Sequence, residues 1–208
     1  MRLLYAYAAP IEAGPLPGEG HPVEFLQLGV GKTAATHSLA LRLADSPPDL
    51  VVLFGIGGAH RNHDLNICDL CLVTHDQLAD EGVDTEAGFL SLQDLSLSSI
   101  GPFEMDQDHT AAIAECLKIK RMVRGATVST CSGTHQRAAD ISARGSTDIE
   151  TMEGAAAAFA CQQAGVPMVQ LRCISNFTGD RELASWDLDR STSILHSAVR
   201  ALIDELGT

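Results

Sequence analysis

The sequence has 208 residues, a formal net charge of −13, a pI near 4.8 and an aromatic content of 4%. So acidic a chain is repelled by nucleic acid and by anionic membrane surfaces, and so few aromatic rings do not build a platform for stacking bases. No run of about 18 apolar residues occurs, so we expect no membrane-spanning helix. Neither nucleic acid nor a membrane is therefore an expected partner.

The first apolar run, residues 3–8, is short and is followed at once by Pro10 and Glu12. We interpret it as a buried strand and not as a secretory signal, which needs a longer apolar region. The six cysteines lie far apart, which predicts free thiols in a reducing compartment and not a disulfide framework. These features together predict a cytoplasmic protein.

Apolar runs typical of strands alternate along the chain with segments of helical periodicity. Strands are predicted at residues 3–8, 23–28, 50–54, 67–74, 126–130 and 166–174. Helices are predicted at residues 33–43, 110–120, 135–143, 151–164 and 189–206, and residues 78–108 are predicted to be mostly loop. This alternation indicates an α/β chain with a largely parallel or mixed sheet, whose ligands collect at the loops after the strands.

Two glycine-containing segments resemble nucleotide-binding motifs without completing them. Gly31-Lys32-Thr33 ends like a P-loop, but Leu26 stands where that loop needs glycine. Gly55 and Gly57 begin a dinucleotide fingerprint, but its third position is His60. The glycines of residues 55–58 are compatible with a tight turn between elements, or with bare backbone that a small ligand approaches closely.

A zinc site is one interpretation of the spacing of His60-x-x-His63 and Cys68-x-x-Cys71. The cysteines fall in a predicted strand, where residues three apart point to opposite faces, so the two thiols are separated. A redox pair would open a helix instead. We therefore expect neither a metal site nor a redox-active pair.

Three polar residues stand out in apolar surroundings. Glu153, in a run of small residues, needs a partner; a carboxylate can accept two ribose hydroxyls, or it can complement a helix dipole. Asn176 follows an apolar run and could read a heterocycle edge or form a turn. Glu12 could be a general base in the same cleft or a surface acid. The residues alone leave these alternatives open.

Taken together, these segments resemble the family of nucleoside phosphorylases and nucleosidases. The similarity runs through residues 8–12, 29–32, 55–59, 128–134 and, most specifically, 151–181. The resemblance implies a single domain over residues 1–208 that forms a three-layer αβα sandwich with a central mixed sheet. It also implies a purine nucleoside as ligand, no cofactor, and a homodimer or higher homo-oligomer.

The resemblance assigns roles to individual residues. Glu12 is expected to activate a water and Asn176 to stabilise the departing base, while Met152 and Glu153 hold the ribose. The expected base pocket and glycine turn comprise Ser132, Gly133, Thr134, Ser175, Gly55, Gly57 and Gly58.

Within the family, the chain is similar to the futalosine hydrolase subfamily. The similarity rests on Ile174-Ser175-Asn176 in place of Ile-Ser-Asp, on residues 179–181, and on Trp186-Asp187. It implies cleavage of futalosine to hypoxanthine and dehypoxanthine futalosine in menaquinone biosynthesis. A neutral amide at position 176 suits a 6-oxopurine, whereas adenosine-type enzymes carry an aspartate there.

Three rival functions stay open. A phosphorylase would need cations around phosphate, for which the loops offer Lys32 and Arg61. A methylthioadenosine/S-adenosylhomocysteine nucleosidase would act on a 6-aminopurine. A nucleoside-binding protein without activity would need neither Glu12 nor Glu153. The chain also departs from the family pattern at Ile56, which replaces a serine that is common in the glycine turn of the family.

Overall fold

The computed structural model describes residues 1–14, 23–61 and 64–206. The strands are β1 (Leu3–Tyr7), β2 (Glu24–Gln27), β3 (Leu50–Ala59), β4 (Leu70–Leu78), β5 (Gly82–Thr85), β6 (Gly88–Ser91), β7 (Phe103–Glu104), β8 (Arg121–Thr127), β9 (Ile149–Thr151) and β10 (Met168–Phe177). The helices are α1 (Pro10–Ala13), α2 (Lys32–Asp45), α3 (Gln107–Leu117), α4 (His135–Ala143), α5 (Gly154–Ala164) and α6 (Leu188–Leu206). A short 3-10 helix, Leu183–Ser185, precedes α6.

The central sheet is mixed and closes on itself. β2, β1, β3 and β10 are parallel neighbours. β10 then pairs antiparallel with β4, which runs parallel to β8, and β8 runs parallel to β9. β9 returns to β3 in antiparallel register, so β3, β10, β4, β8 and β9 form a ring. The predicted α/β fold with a central mixed sheet is confirmed.

Alternating side chains of the inner strands feed two apolar layers. Tyr5, Val52 and Phe54 pack with residues of α3 and α6 on one side of the sheet. Leu4 and Leu53 pack with residues of α2 and α5 on the other side. Because consecutive side chains of a strand point to opposite faces, a continuous apolar run satisfies both layers.

Several predicted boundaries are wrong, and the errors have physical causes. Residues 55–58 do not form a turn, because β3 continues through them to Ala59. Residues 78–108 are mostly loop, as predicted, but they also hold the β5–β6 hairpin and β7, which the sequence did not indicate. β5 is exposed along its whole length and lacks the alternation that marks a half-buried strand.

Two further differences concern the segments around β8 and β9. β8 begins at Arg121, not at residue 126. The charged arginines near its start hide the strand in the sequence, but they pair with acids outside the strand, as Arg124 does with Asp148. β9 was not predicted, and Thr151 belongs to it, so α5 begins at Gly154.

Within the part of the chain that the structure describes, no helix combines the length and apolar character needed to cross a membrane.

Candidate active site

A cavity of about 250 Å³ lies at the end of the sheet where β1, β3, β9 and β10 finish or diverge. Its lining combines bare backbone with acidic and amide side chains: Ala8, Ala9, Glu12, Val30, Ile56, Gly57, Gly58, Cys131, Ser132, Glu150, Thr151, Met152, Glu153, Ser175, Asn176, Thr178 and Trp186. A larger hollow of about 600 Å³ is lined, among the described residues, by residues of α6. Since no second described element converges on that hollow, its described lining lacks the convergent polar groups of the first cavity.

The cavity lies where the sheet divides. One edge of β3 pairs with β1 at residues 50–53 and with β9 at residues 58–59. Between these two stretches the backbone of β3 faces neither strand, and the N–H of Ile56 donates to Oε1 of Glu12 over 2.9 Å. The split therefore gives a side chain access to strand backbone in the middle of a sheet.

Glu12 is held rigidly at this split. Pro10 opens α1, where its fixed φ and missing N–H are tolerated. The Glu12 carboxylate turns back to accept the N–H groups of Ala8 at 3.0 Å and Ala9 at 2.9 Å, and the side chain is 4% exposed. A carboxylate has about four acceptor positions. With the Ile56 bond, three are used, and capacity for about one further donor is left.

Glu153 occupies the position before α5, not the first helical turn. Its Oε1 accepts the N–H of Gly31 from the loop after β2, at 2.9 Å, and the residue is 5% exposed. Burial raises the pKa of Glu153, and the nearby Glu12 charge raises it further, while the Arg172 cation and the Gly31 N–H oppose the shift. The carboxylate thus interacts with a distant loop and is not a simple dipole partner of its own helix.

Asn176 lies within β10, which continues to Phe177, so it does not form a turn. Its Oδ1 accepts the hydroxyl of Ser175 at 2.9 Å, and its Nδ2 donates to the Phe177 carbonyl at 3.1 Å. An amide offers two N–H donors and two acceptor positions. One donor and one acceptor are left for a ligand in the cavity.

The other expected site residues divide into two groups. Ser132, Ser175, Met152, Gly57 and Gly58 line the cavity. The lining does not include Gly133, Thr134 or Gly55. Thr134 instead caps α4 by accepting the N–H of Arg137. Gly55 lies behind the cavity, where an added β-carbon would overlap both the Glu12 carboxylate and the Arg172 guanidinium.

Glu150 is a cavity residue that sequence reasoning missed. It lies in β9, is 6% exposed, and accepts both the N–H and the hydroxyl of Ser132. Burial raises its pKa, and the two Ser132 bonds oppose that shift. Gly58 of β3 pairs with Glu150 on one side and with Asn176 on the other. Paired residues share a face of a sheet, so an acid and an amide flank a position without a side chain.

The sequence also did not indicate a role for Trp186 or Arg172. Trp186 lines the cavity, with the guanidinium of Arg181 5.7 Å from its ring centroid. Arg172 is 1% exposed and lies beneath the carboxylates. The signal for Arg172 is a cation inside an otherwise apolar strand, since such a charge is buried only with partners.

Among residues 1–14, 23–61 and 64–206, no group of three or more histidine, cysteine and acidic side chains is arranged to hold a metal ion. Cys68 precedes β4 at a positive φ of 74°, and its sulfur contacts Ser191, whereas Cys71 is buried inside the strand. The expectation that both cysteines lie in one strand is therefore wrong. His63 lies outside the described residues.

The chain is similar to known proteins of one family. A family model described as the phosphorylase superfamily matches residues 8–206. The futalosine hydrolase of Thermus thermophilus is 33% identical over 186 residues, covering 88% of this chain and 82% of that protein. The 5′-methylthioadenosine/S-adenosylhomocysteine nucleosidase of Bacillus cytotoxicus is 30% identical, over 86% of this chain and 78% of its own length. A solved mutant of Helicobacter pylori futalosine hydrolase has the same fold, with a TM-score of 0.81, 22% identity and 99% coverage of both chains.

Proposed function

This chain belongs to the phosphorylase superfamily, and from that premise we propose that it hydrolyses the N-glycosidic bond of a purine nucleoside, with futalosine as substrate. The observation that carries the proposal is the convergence of the Glu12 and Glu153 carboxylates in one cavity with Asn176. The curated relative from Thermus thermophilus, itself named futalosine hydrolase, supports the choice of substrate.

Glu12 is proposed as the general base for water. Its carboxylate is fixed by N–H groups of Ala8, Ala9 and Ile56 and keeps room for about one more donor. A water in that position is oriented toward C1′ of the ribose and is deprotonated as the bond to the base breaks. A positioned general base typically contributes about 10²–10⁴-fold to the rate.

Glu153 and Met152 are proposed to hold the sugar. The Gly31 bond occupies one acceptor position of Glu153 and leaves others for the 2′ and 3′ hydroxyls. Met152 lines the same wall and lies beneath the ribose. No covalent nucleophile is assigned, because positioning and electrostatic stabilisation of an oxocarbenium-like ribosyl group account for the catalysis.

Asn176 and Glu150 are proposed to read the base across Gly58. A 6-oxopurine presents an N1–H donor and the O6 and N7 acceptors. The Glu150 carboxylate accepts the N1–H, while the Asn176 amide donates a hydrogen bond to N7 or O6. A 6-aminopurine has a lone pair at N1, which would face the Glu150 carboxylate unfavourably. This arrangement favours hypoxanthine as the leaving group over adenine and ranks the methylthioadenosine nucleosidase activity second.

Phosphorolysis is disfavoured by the charges of the site. The Lys32 ammonium is bonded to Asp80 at 2.8 Å and to Glu81 at 3.0 Å. The Arg61 guanidinium lies over the ring of Phe177, 5.3 Å from its centroid. The cavity itself is lined by three acids, Glu12, Glu150 and Glu153, which repel phosphate.

One assay separates these functions and the inactive nucleoside-binding alternative. Release of free base is measured from futalosine, inosine and methylthioadenosine, each with and without phosphate. We expect phosphate-independent release of hypoxanthine from futalosine. A requirement for phosphate would indicate a phosphorylase, preferred release of adenine would indicate the other nucleosidase, and binding without release would indicate a protein without activity.

We further propose a cytoplasmic homodimer or higher homo-oligomer that acts in menaquinone biosynthesis. Val30 lines the cavity and is 57% exposed, and Phe159, 39% exposed, lines a neighbouring hollow together with Lys32. Apolar side chains beside a substrate cavity are suited to contact with a second subunit. Sedimentation at micromolar concentration measures the assembly, and a monomer would contradict it.

A further inference from the structure

A line of buried polar side chains runs from beneath the active site into the core. Asp76 and Gln170 are fully buried, and Arg172 is 1% exposed. Arg172 donates from Nη2 and Nε to Oε1 of Gln170, at 2.9 and 3.2 Å. Gln170 in turn donates from Nε2 to Oδ2 of Asp76 at 2.9 Å. The three side chains therefore form a chain of directed hydrogen bonds.

The chemistry of the groups permits only one orientation for the central amide. A guanidinium carries donors and no acceptor, so Gln170 must present its oxygen to Arg172. Its NH₂ group then needs an acceptor, and the carboxylate of Asp76 is that acceptor. The second oxygen of Asp76 accepts the hydroxyl of Thr127 at 3.0 Å. A buried acceptor in this position is required to fix the amide and, through it, the arginine.

The surrounding backbone leaves space for this carboxylate. A β-carbon on Gly125 of β8 would overlap Asp76, and one on Gly154 at the start of α5 would overlap both Asp76 and Gln170. Two glycines thus allow β8 and α5 to approach the buried acid from different sides. Asp76 is kept although burial raises its pKa to about 6, a cost that an apolar side chain would avoid.

The far end of the line lies beside the Glu12 carboxylate. Nη1 of Arg172 donates to the carbonyl of Ile56 at 3.3 Å, and the space that a side chain on Gly55 would fill is occupied by Arg172 together with Glu12. The arginine cation also opposes the rise in the pKa of Glu153. Arg172 therefore lies beside Glu12, and its charge also reaches Glu153.

We propose that Asp76 and Gln170 are positioning residues, which hold the Arg172 guanidinium in the one orientation that places its charge beside the Glu12 carboxylate, the proposed general base. The proposal rests on the nucleoside hydrolysis proposed above. It assigns Asp76 and Gln170 no contact with the substrate, because both lie behind the residues that line the cavity.

The first test compares Gln170→Leu, which breaks the line, with Asp76→Asn, which can still offer a carbonyl oxygen to Gln170. We expect Gln170→Leu to lower kcat for futalosine by about 10- to 100-fold with a smaller change in KM, because a misplaced catalytic group costs up to about that factor. Asp76→Asn should retain near-wild-type kcat. Ser142→Ala, which removes a buried hydroxyl bonded to the Thr147 carbonyl, is the control for stability alone.

The second test is the pH profile of Gln170→Glu. The ionisable groups that face position 170 are Asp76 from β4 and Arg172 from β10, while β8 presents Thr127 and α5 presents the Gly154 backbone. A protonated glutamic acid reproduces the amide, with its carbonyl toward Arg172 and its hydroxyl toward Asp76. When the shared proton leaves, two carboxylates face each other.

We therefore expect kcat of Gln170→Glu to fall with rising pH more steeply than that of the wild type. This second variant decides the question if Gln170→Leu does not fold. A parallel pH profile, or a kcat loss in Gln170→Leu no larger than in Ser142→Ala at equal loss of Tm, overturns the proposal. An inactive wild type would instead refute the proposed function, so the two failures are distinguishable.

Discussion

The backbone N–H of Gly31 donates a hydrogen bond of 2.9 Å to Oε1 of Glu153. This bond connects the loop after β2 to the residue that precedes α5, although 122 positions separate them in the chain. Gly31 has a φ of +91°, which favours glycine. The orientation of the Glu153 carboxylate therefore depends on the backbone of Gly31, a residue without a side chain.

Glu153→Ala should weaken recognition of the ribose. Hydrogen bonds to charged groups contribute about 1.5–3 kcal/mol, so we expect kcat/KM to fall about 10-fold or more. A 2′-deoxy substrate should lose much less in this variant than in the wild type, because its partner carboxylate is already absent. The measurement is kcat/KM for both substrates on both proteins, and simple additivity of the two losses would show that Glu153 does not hold the 2′ hydroxyl.

Glu12→Gln should reduce kcat by about 10²–10⁴-fold while nucleoside binding is largely retained. The structure adds a second expected effect. The wild-type carboxylate accepts backbone N–H groups on both of its oxygens, and the NH₂ of glutamine must face at least one of these donors. Tm should therefore fall as well. Single-turnover hydrolysis and calorimetric binding are measured below the Tm of the variant; near-normal turnover would exclude Glu12 as the base.

Wild-type protein should prefer 6-oxopurine over 6-aminopurine nucleosides, and two substitutions should shift this preference. Asn176→Asp supplies an acid for N7 of adenine, and Glu150→Gln replaces an obligate acceptor by a group that can donate to N1. We expect both to move the ratio of kcat/KM toward the aminopurine, from a wild-type discrimination of up to about 10⁴–10⁵-fold. Inosine and adenosine are the matched pair.

The two substitutions test different contacts. A ratio that changes only in Asn176→Asp would assign base reading to the amide alone. Equal kcat/KM for the two nucleosides in the wild type would show that neither side chain reads the base. Thr134→Ser, which keeps the hydroxyl that caps α4 outside the cavity, serves as the control.

Alkylation of Cys131 should inactivate the protein slowly at neutral pH and faster as pH rises. This exposed cysteine lines the cavity, whereas Cys71 is buried in β4. Partial burial of the thiol, followed by the charges of Glu150 and Glu153, raises the pKa of Cys131. The reactive thiolate is therefore scarce until the pH exceeds the ordinary pKa of a cysteine thiol. Inactivation by iodoacetamide is followed from pH 7 to 10. Cys131→Ser should resist it, and equal inactivation of that variant would implicate another residue.

Much of this protein follows from the sequence by itself. The apolar run at residues 50–54 predicts a strand with both faces buried, and Val52 and Leu53 indeed reach different apolar layers. Glu12, Glu153 and Asn176 stand out as polar residues in apolar surroundings, but the residues alone left their roles open and the resemblance to the nucleosidase family assigned them. These inferences are local, since periodicity and burial cost are properties of neighbouring residues.

Only the tertiary structure decided which polar residues meet. Residues 55–58 have the composition of a turn, but the division of the sheet lets β3 continue through them and places Ile56 against Glu12. Glu150 belongs to a strand of three residues, too short for any period to show, and it lies across Gly58 from Asn176 because both strands pair with β3. Such contacts depend on strand order and register, which join positions far apart in the chain and leave no pattern among sequence neighbours.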